Sequence, residues 1–341
     1  MTLLGVVAHH TPEAASQIAQ TATALSSFSE AAALLAQRGR CIDIKTVRSL
    51  AYHFSHNARL KQQSLVMNPS ADLDGKRCAV SVDGGRIRTR SIKRGRKTKK
   101  NRHRFKTDWR EPKLLHICII GTDGKMCRHF APWIDGTLNG ADAVFLLLSY
   151  YLRALNITGA DQILFIADGA HWIWNRIPWL IDSLHLDPNR VYQLVDYYHA
   201  VEHLTTVASL CKKRWTAKKR RQWVSRLKGF LWNGKVDEVV KAVEDVTRGR
   251  NSKKIVRERN YFFHNVDRMS YAKAREQHLP VGSGPMESAI RRVINLRMKG
   301  CGIFWKEQNA EAMIMLRSFY KAGRWENLVI LATEQGNNGI I

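Results

Sequence analysis

Three carboxylates occupy positions from which acids do chemistry: Asp83 closes the apolar run Cys78-Ala-Val-Ser-Val, Asp168 closes Gln162-Ile-Leu-Phe-Ile-Ala, and Glu287 follows Pro285 at the opening of a helical stretch. Mg²⁺ is a hard cation that prefers oxygen ligands and keeps positions open for water and phosphate. Two acids at strand ends and one on a facing helix would therefore suit a pair of divalent ions roughly 3.5–4 Å apart, the arrangement that drives in-line phosphoryl displacement. Each acid alone also fits a plainer use. Asp83-Gly-Gly reads as a turn signal, Asp168 as the cap of a helix beginning near His171, and Glu287 as a favourable charge in a first helical turn.

The elements that must position these acids follow from periodicity. Cys78–Asp83 reads as a strand, and Leu114–Gly121, a Thr-Asp-Gly-Lys turn and Met126–Ala131 read as a hairpin. A helix over about 139–155, a strand over 162–168, a helix from about 172 and a strand near 191–195 come next. Strand-strand-strand-helix-strand-helix-strand is the order of an RNase H-like α/β fold, a mixed five-stranded sheet flanked by helices. In such a sheet the strands bearing Asp83 and Asp168 are parallel neighbours. Residues 206–276 have helical periodicity, many Lys and Arg and three Trp, and read as a helical insertion. The expected divisions are a helical DNA-binding region 1–65, a linker 66–76, a catalytic core in two parts, 77–205 and 277–341, and the insertion between them.

Within the first region, Ser29–Ala36, the Gln37-Arg-Gly-Arg turn and a second helix capped by Asp43 resemble a helix-turn-helix that presents Lys45, Thr46 and Arg48. A helical hairpin packed on the core is the alternative. Charge points to the partner: 55 Lys and Arg against 29 Asp and Glu give +26, and phosphate neutralisation by so many cations supplies affinity for nucleic acid. Twelve of the Lys and Arg lie between Arg86 and Lys106 without one acid. Such a run is ordinarily a solvated loop, yet its place after Asp83 suits Arg86, Arg88, Arg94, Arg96 and Lys99 to DNA phosphates, with no base reading implied.

No run of about 18 apolar residues and no basic, apolar leader is present, so a soluble cytoplasmic, nucleoid-associated protein without membrane contact is expected. The six cysteines form no CxxC pair and are expected as free thiols, with no structural zinc.

In three places, Ser81-Val-Asp-Gly-Gly, Ala167-Asp-Gly-Ala-His-Trp-Ile-Trp-Asn175, and Val281-Gly-Ser-Gly-Pro-Met-Glu-Ser288 with Arg297-Met-Lys-Gly and Trp305, the chain resembles the DDE transposases of bacterial insertion sequences, over roughly residues 75–330. The resemblance implies an RNase H-like core interrupted by a helical insertion, Asp83, Asp168 and Glu287 as ligands of two Mg²⁺ or Mn²⁺ ions, and cleavage of element ends with strand transfer. Double-stranded DNA, as terminal repeats and target, would be the partner of a homodimer or larger assembly. Asp196-Tyr-Tyr-His199 looks like the D-x-x-H string of several such lineages; His199 would touch DNA phosphate or orient a ligand, unless the two form a buried structural pair. Trp172 and Trp174 could stack on an unpaired base or fill the helix core. Arg297, Lys299 and Trp305 could grip the scissile backbone or cover a helix face. Two other functions use the same residues: a junction-resolving nuclease without strand transfer, and a domesticated or truncated relative that only binds DNA.

Overall fold

In the computed structural model residues 10–62, 73–211 and 215–333 are described. The expected linker 66–76 therefore lies outside the described residues as far as residue 72. The strands are β1 (Arg77–Gly84), β2 (Ile87–Ile92), β3 (Phe105–Arg110), β4 (Lys113–Ile119), β5 (Trp133–Thr137), β6 (Gln162–Ala167) and β7 (Val191–Val195). The helices are α1 (Pro12–Ala24), α2 (Phe28–Gln37), α3 (Ile44–Lys61), α4 (Ala141–Ala154), α5 (His171–Trp174), α6 (Ile177–Ser183), α7 (Tyr197–Cys211), α8 (Ala217–Trp232), α9 (Val236–Thr247) and α10 (Lys253–Asn265), then α11 (Tyr271–Glu276), α12 (Gly284–Ile290), α13 (Leu296–Met298), α14 (Glu307–Ala322) and α15 (Trp325–Thr333). A π-helical turn, Arg291–Asn295, joins α12 to α13.

Five strands form one mixed sheet in the order β5-β4-β1-β6-β7. β1 pairs antiparallel with β4 and parallel with β6; β4–β5 is antiparallel and β6–β7 parallel. The central runs of β1 and β6 are buried without alternation, as strands covered on both faces must be. Leu114 of β4 joins a core with Met286 and Ala289 of α12 and Met313 of α14, whereas its neighbour Leu115 joins the larger core that holds Phe145 and Leu148 of α4. Adjacent residues of a strand face opposite ways, so helices cover both sides. Among the described residues, 217–276 contain helices only, and these pack back onto α7. No described helix is long and apolar enough to cross a membrane.

The third strand is not where the hairpin signal put it. The Gly121–Gly124 turn closes only a bridge between Ile120 and Met126, and β5 instead begins at Trp133 and pairs with β4 from Ile117 to Lys113. Its Asp135-Gly136 step has the composition of a turn. Two tertiary facts make it a strand. Asp135 is 0 % exposed but takes both guanidinium nitrogens of Arg59, at 2.9 and 3.1 Å, and a Cβ at Gly136 would run into the Lys113 carbonyl.

The basic run after Asp83 is likewise not simply a loop. β2 and β3 form an antiparallel ribbon outside the main sheet, and the backbone of Trp305 pairs with it: Arg90 N–H donates to Trp305 O at 2.8 Å and Trp305 N–H to Arg88 O at 3.0 Å. Aromatic side chains carry its cations, with Arg86 4.7 Å from the centre of the Trp109 ring and Arg90 4.8 Å from that of Phe105. The helix expected from 172 breaks into α5 and α6, with Pro178 in the first turn of α6, where proline is tolerated.

Asp43 caps α3 as expected, accepting the N–H groups of Lys45 at 2.8 Å and Thr46 at 3.1 Å. α3 is a core helix as well: Val47, Leu50, Ala51, Phe54 and Ala58 are buried where it meets α1, α14 and α15. Cys41, Cys78, Cys118, Cys127 and Cys301 are free thiols, Cys78 and Cys118 buried on adjacent strands.

Candidate active site

The acids converge where the three parallel strands end. Val80 pairs with Phe165, and Asp83 and Asp168 each stand three residues further on, so their carboxyls leave at one level and toward one face. Ala167 pairs with Val195, which brings Asp196 to the same level beside Asp168. The face in question is the one α12 covers, because Asp83 opposes Leu114 and Leu114 belongs to the core shared with α12.

Asp83 Oδ1 accepts the Gly84 N–H at 2.6 Å and Asp168 Oδ1 the Ala170 N–H at 3.1 Å. The second oxygen of each accepts nothing from the described residues. Burial pushes the Asp83 carboxyl up to about 6, and the adjacent Asp168 charge adds to the effect; Asp168 is raised by burial as well. Two half-buried like charges are costly side by side, and a cation bound between them would reverse that cost. Hard oxygen donors, free lone pairs and unbalanced negative charge fit a divalent ion.

Asp196 has a different task. It is 0 % exposed, and both its oxygens are taken: Oδ1 accepts the N–H groups of Tyr198 (2.7 Å) and His199 (3.1 Å), and Oδ2 accepts the Ser283 N–H (2.5 Å) and hydroxyl (2.6 Å). One carboxylate thus caps α7 and ties it to Ser283, the residue that opens α12. That tie presents His199 to Glu287, Nε2 to Oε1 3.6 Å. Asp196, His199 and Glu287 each offer a ligand atom within 4.8 Å of the others, but the four donors on Asp196 leave His199 and Glu287 as the available pair. Asp83, Asp168 and Glu287 do not close to that distance among themselves. His199 faces Glu287, and its charge lowers the carboxyl pKa of both Asp83 and Asp168.

Several contributors besides Trp172 and Trp174 left no mark in the sequence. Glu111, whose charge raises both aspartates, is held by Lys113 Nζ at 2.9 Å, and that buried ammonium lies 3.7 Å from the centre of the Trp172 ring. Trp174 donates its indole N–H to the Asp168 carbonyl at 2.6 Å. From the helical segment, Glu258 meets His203 Nδ1 at 2.5 Å, and the His203 ring stacks on Tyr261 with centroids 3.6 Å apart. Glu258 lies 55 residues from His203, and no local pattern announces such a pair.

The turn after Asp168 depends on glycine, because a Cβ at Gly169 would overlap the Tyr261 ring. Gly169→Ala should therefore displace Tyr261 and destabilise the fold by about 1–3 kcal/mol, the usual cost of overpacking. Thermal unfolding checks this, and adding Tyr261→Leu should recover most of the loss; additive effects would mean that the two residues do not meet.

The residues singled out for DNA fall into separate places. Arg94, Arg96 and Lys99 are exposed at the ribbon tip, Arg86 and Arg88 rest on Trp109, and Arg88 also caps the Gly300 carbonyl. Trp172 is half-buried between Phe145 and Lys113. Lys45 and Arg48 are exposed on α3 and Lys299 is exposed beyond α13. Arg297 is buried beside α3, in a groove that none of the three acids lines. No family model, curated protein or solved structure matches this chain.

Proposed function

We propose that the chain is an RNase H-like DDE transposase, in which Asp83, Asp168 and Glu287 hold two Mg²⁺ or Mn²⁺ ions, and that 206–276 is its helical insertion. The observation that carries this reading is the level placement of Asp83 and Asp168 across the central parallel strands, on the face covered by the helix of Glu287. The sheet order, with the second strand of the sheet antiparallel to the first and third, supports the RNase H-like reading. When bound, the ions would activate a water or a 3′-hydroxyl and stabilise the leaving oxygen. The chain's own part is positional. Asp196 fixes the first turn of α7 against the start of α12, His199 faces Glu287, and Trp174 holds the Asp168 backbone. The ribbon places its cations beside the strand that carries Asp83, where they would meet phosphates of terminal repeats and target DNA, gathered by a dimer or larger assembly.

The test is cleavage of a labelled duplex made from the DNA flanking the gene, with Mg²⁺, Mn²⁺ or EDTA. Metal-dependent nicking followed by joining of the 3′-end to a second duplex is expected, and Glu287→Gln should lower it by about 10²-fold or more while DNA binding persists. Nicking without joining would indicate a nuclease or resolvase instead. Binding without cleavage in any metal would leave a DNA-binding relative.

A further inference from the structure

A wide cavity lies away from the acids. It is an open groove of about 930 Å³ between α3 and the segment 302–312, and its walls include Lys45, Arg48, His56, Arg90, Arg297 and Lys306. Among the described residues Glu311 is the only carboxylate that lines it, and that group already lies 4.0 Å from Arg59. Elements far apart in the chain supply these cations: the capped start of α3, the ribbon strand β2 and the entry to α14.

Arg297 gives the groove its chemical direction. The residue is 7 % exposed, its guanidinium lies 5.4 Å from the ring centre of Phe28 and 5.7 Å from that of Trp305, and Nε and Nη2 are buried without a hydrogen-bond partner. These two nitrogens form one edge of the guanidinium, a fork that matches two oxygens of a phosphate once the side chains that close it off from solvent move aside. A buried cation without a hydrogen-bonded counter-ion is costly: burial depresses its pKa, and the charge of Glu30 offsets only part of that. An anion entering the groove would remove the cost, and the neighbouring lysines and arginines would hold a chain of such anions.

We propose that this groove is a second nucleic-acid site, which seats the phosphate backbone of a DNA strand with one phosphate anchored on Arg297, away from the carboxylate cluster. The proposal rests on the nucleic-acid partner of the reading above but not on its metal chemistry. It also changes the role expected of α3. The helix forms a wall of the groove, so Lys45 and Arg48 meet backbone and not base edges, and binding here is indifferent to sequence.

The test is fluorescence anisotropy in EDTA with a labelled 20-mer, both single-stranded and as a duplex, over a series of salt concentrations. Lys45→Gln/Arg48→Gln and, separately, Arg297→Met should each weaken binding by roughly tenfold or more and reduce the slope of log affinity against log salt by about 0.7–0.9 for each phosphate no longer neutralised. The charge-matched pair Lys235→Gln/Lys241→Gln, on the helical segment, should do neither. Arg297→Met should melt at or above the wild-type temperature, since it removes a buried orphan charge. Unchanged affinity and slope in the groove variants would overturn the proposal; so would an equal loss in the control pair, a melting temperature in Arg297→Met several degrees below wild type, or equally tight binding of polyglutamate. Because nothing is cut in EDTA, a failed groove and a failed cleavage assay are separate results: intact metal-dependent cutting with indifferent groove variants would remove only the groove.

Discussion

Asp83→Asn should be catalytically inert and more heat-resistant at the same time. On the proposed function, loss of one metal-holding carboxylate would remove several kcal/mol of transition-state charge stabilisation, about 10³-fold or more in cleavage rate. The stability effect has the opposite sign, and its pH dependence follows from the raised carboxyl. Asp83 titrates near 6 in the fold because it is buried and adjoins Asp168, against an ordinary value of 3.8. A group raised in the folded state contributes stability below its unfolded pKa and loses it as pH rises through the folded one. The charged form therefore burdens the metal-free protein fully above about pH 6, by about 3 kcal/mol. In EDTA at pH 7.5 Asp83→Asn should melt a few degrees above wild type, and near pH 4 the two should converge. Mg²⁺ should raise the wild-type melting temperature and leave the variant where it is. A variant that melts lower in EDTA at neutral pH would show that Asp83 serves mainly as an acceptor for the Gly84 N–H, and the metal reading would lose its physical basis.

The second large effect concerns Arg59. Its guanidinium forks onto Asp135, which also accepts from the Gln62 amide, the Tyr151 hydroxyl at 2.9 Å and the Gly136 N–H at 2.7 Å. This network fastens the C-terminal end of α3 to β5, the edge strand, and so joins the N-terminal helices to the sheet. Arg59→Leu leaves a fully buried carboxylate without its counter-charge, and removal of one partner from such a pair typically costs about 3–5 kcal/mol. Denaturant melts should show the loss. Arg59→Gln/Asp135→Asn should be markedly more stable than Arg59→Leu, because neutral partners can still exchange hydrogen bonds. Equal stability of the two variants would mean that the cation holds the strand through its carbon stem.

What the sequence makes legible here, and what it hides, divides on physical lines. Asp83 and Asp168 could be located because each ends a run of apolar residues, and a strand buried on both faces announces itself by that run alone. Asp43 could be located because a cap is a local hydrogen bond. β5 was invisible because a buried aspartate in a strand is tolerable only with Arg59, 76 residues away. The ribbon was hidden for a similar reason: a strand of alternating arginine is held by aromatic rings on its partner and by the backbone of Trp305, not by an apolar face. Asp196 was legible as one half of a pair with His199, but its bond to Ser283 spans 87 residues, and only that bond shows it to be a fastening and not a ligand. Glu111, Glu258 and Tyr261 had no periodic or motif signal at all.

The central position of β1 has a temporal consequence. The strand that carries Asp83 is the first of the sheet to be made, yet its two neighbours, β4 and β6, lie later in the chain, and α12 with Glu287 comes later still. A ribosome delivers the N-terminal part first, so a partly made chain holds Asp83 without Asp168, and then both without the helix that faces them. Contacts of such long sequence separation also form slowly. The cluster is complete only after residue 287 has been made and docked, and a prematurely terminated product, however basic, would carry the cations proposed to gather DNA without the full set of acids proposed to cut it.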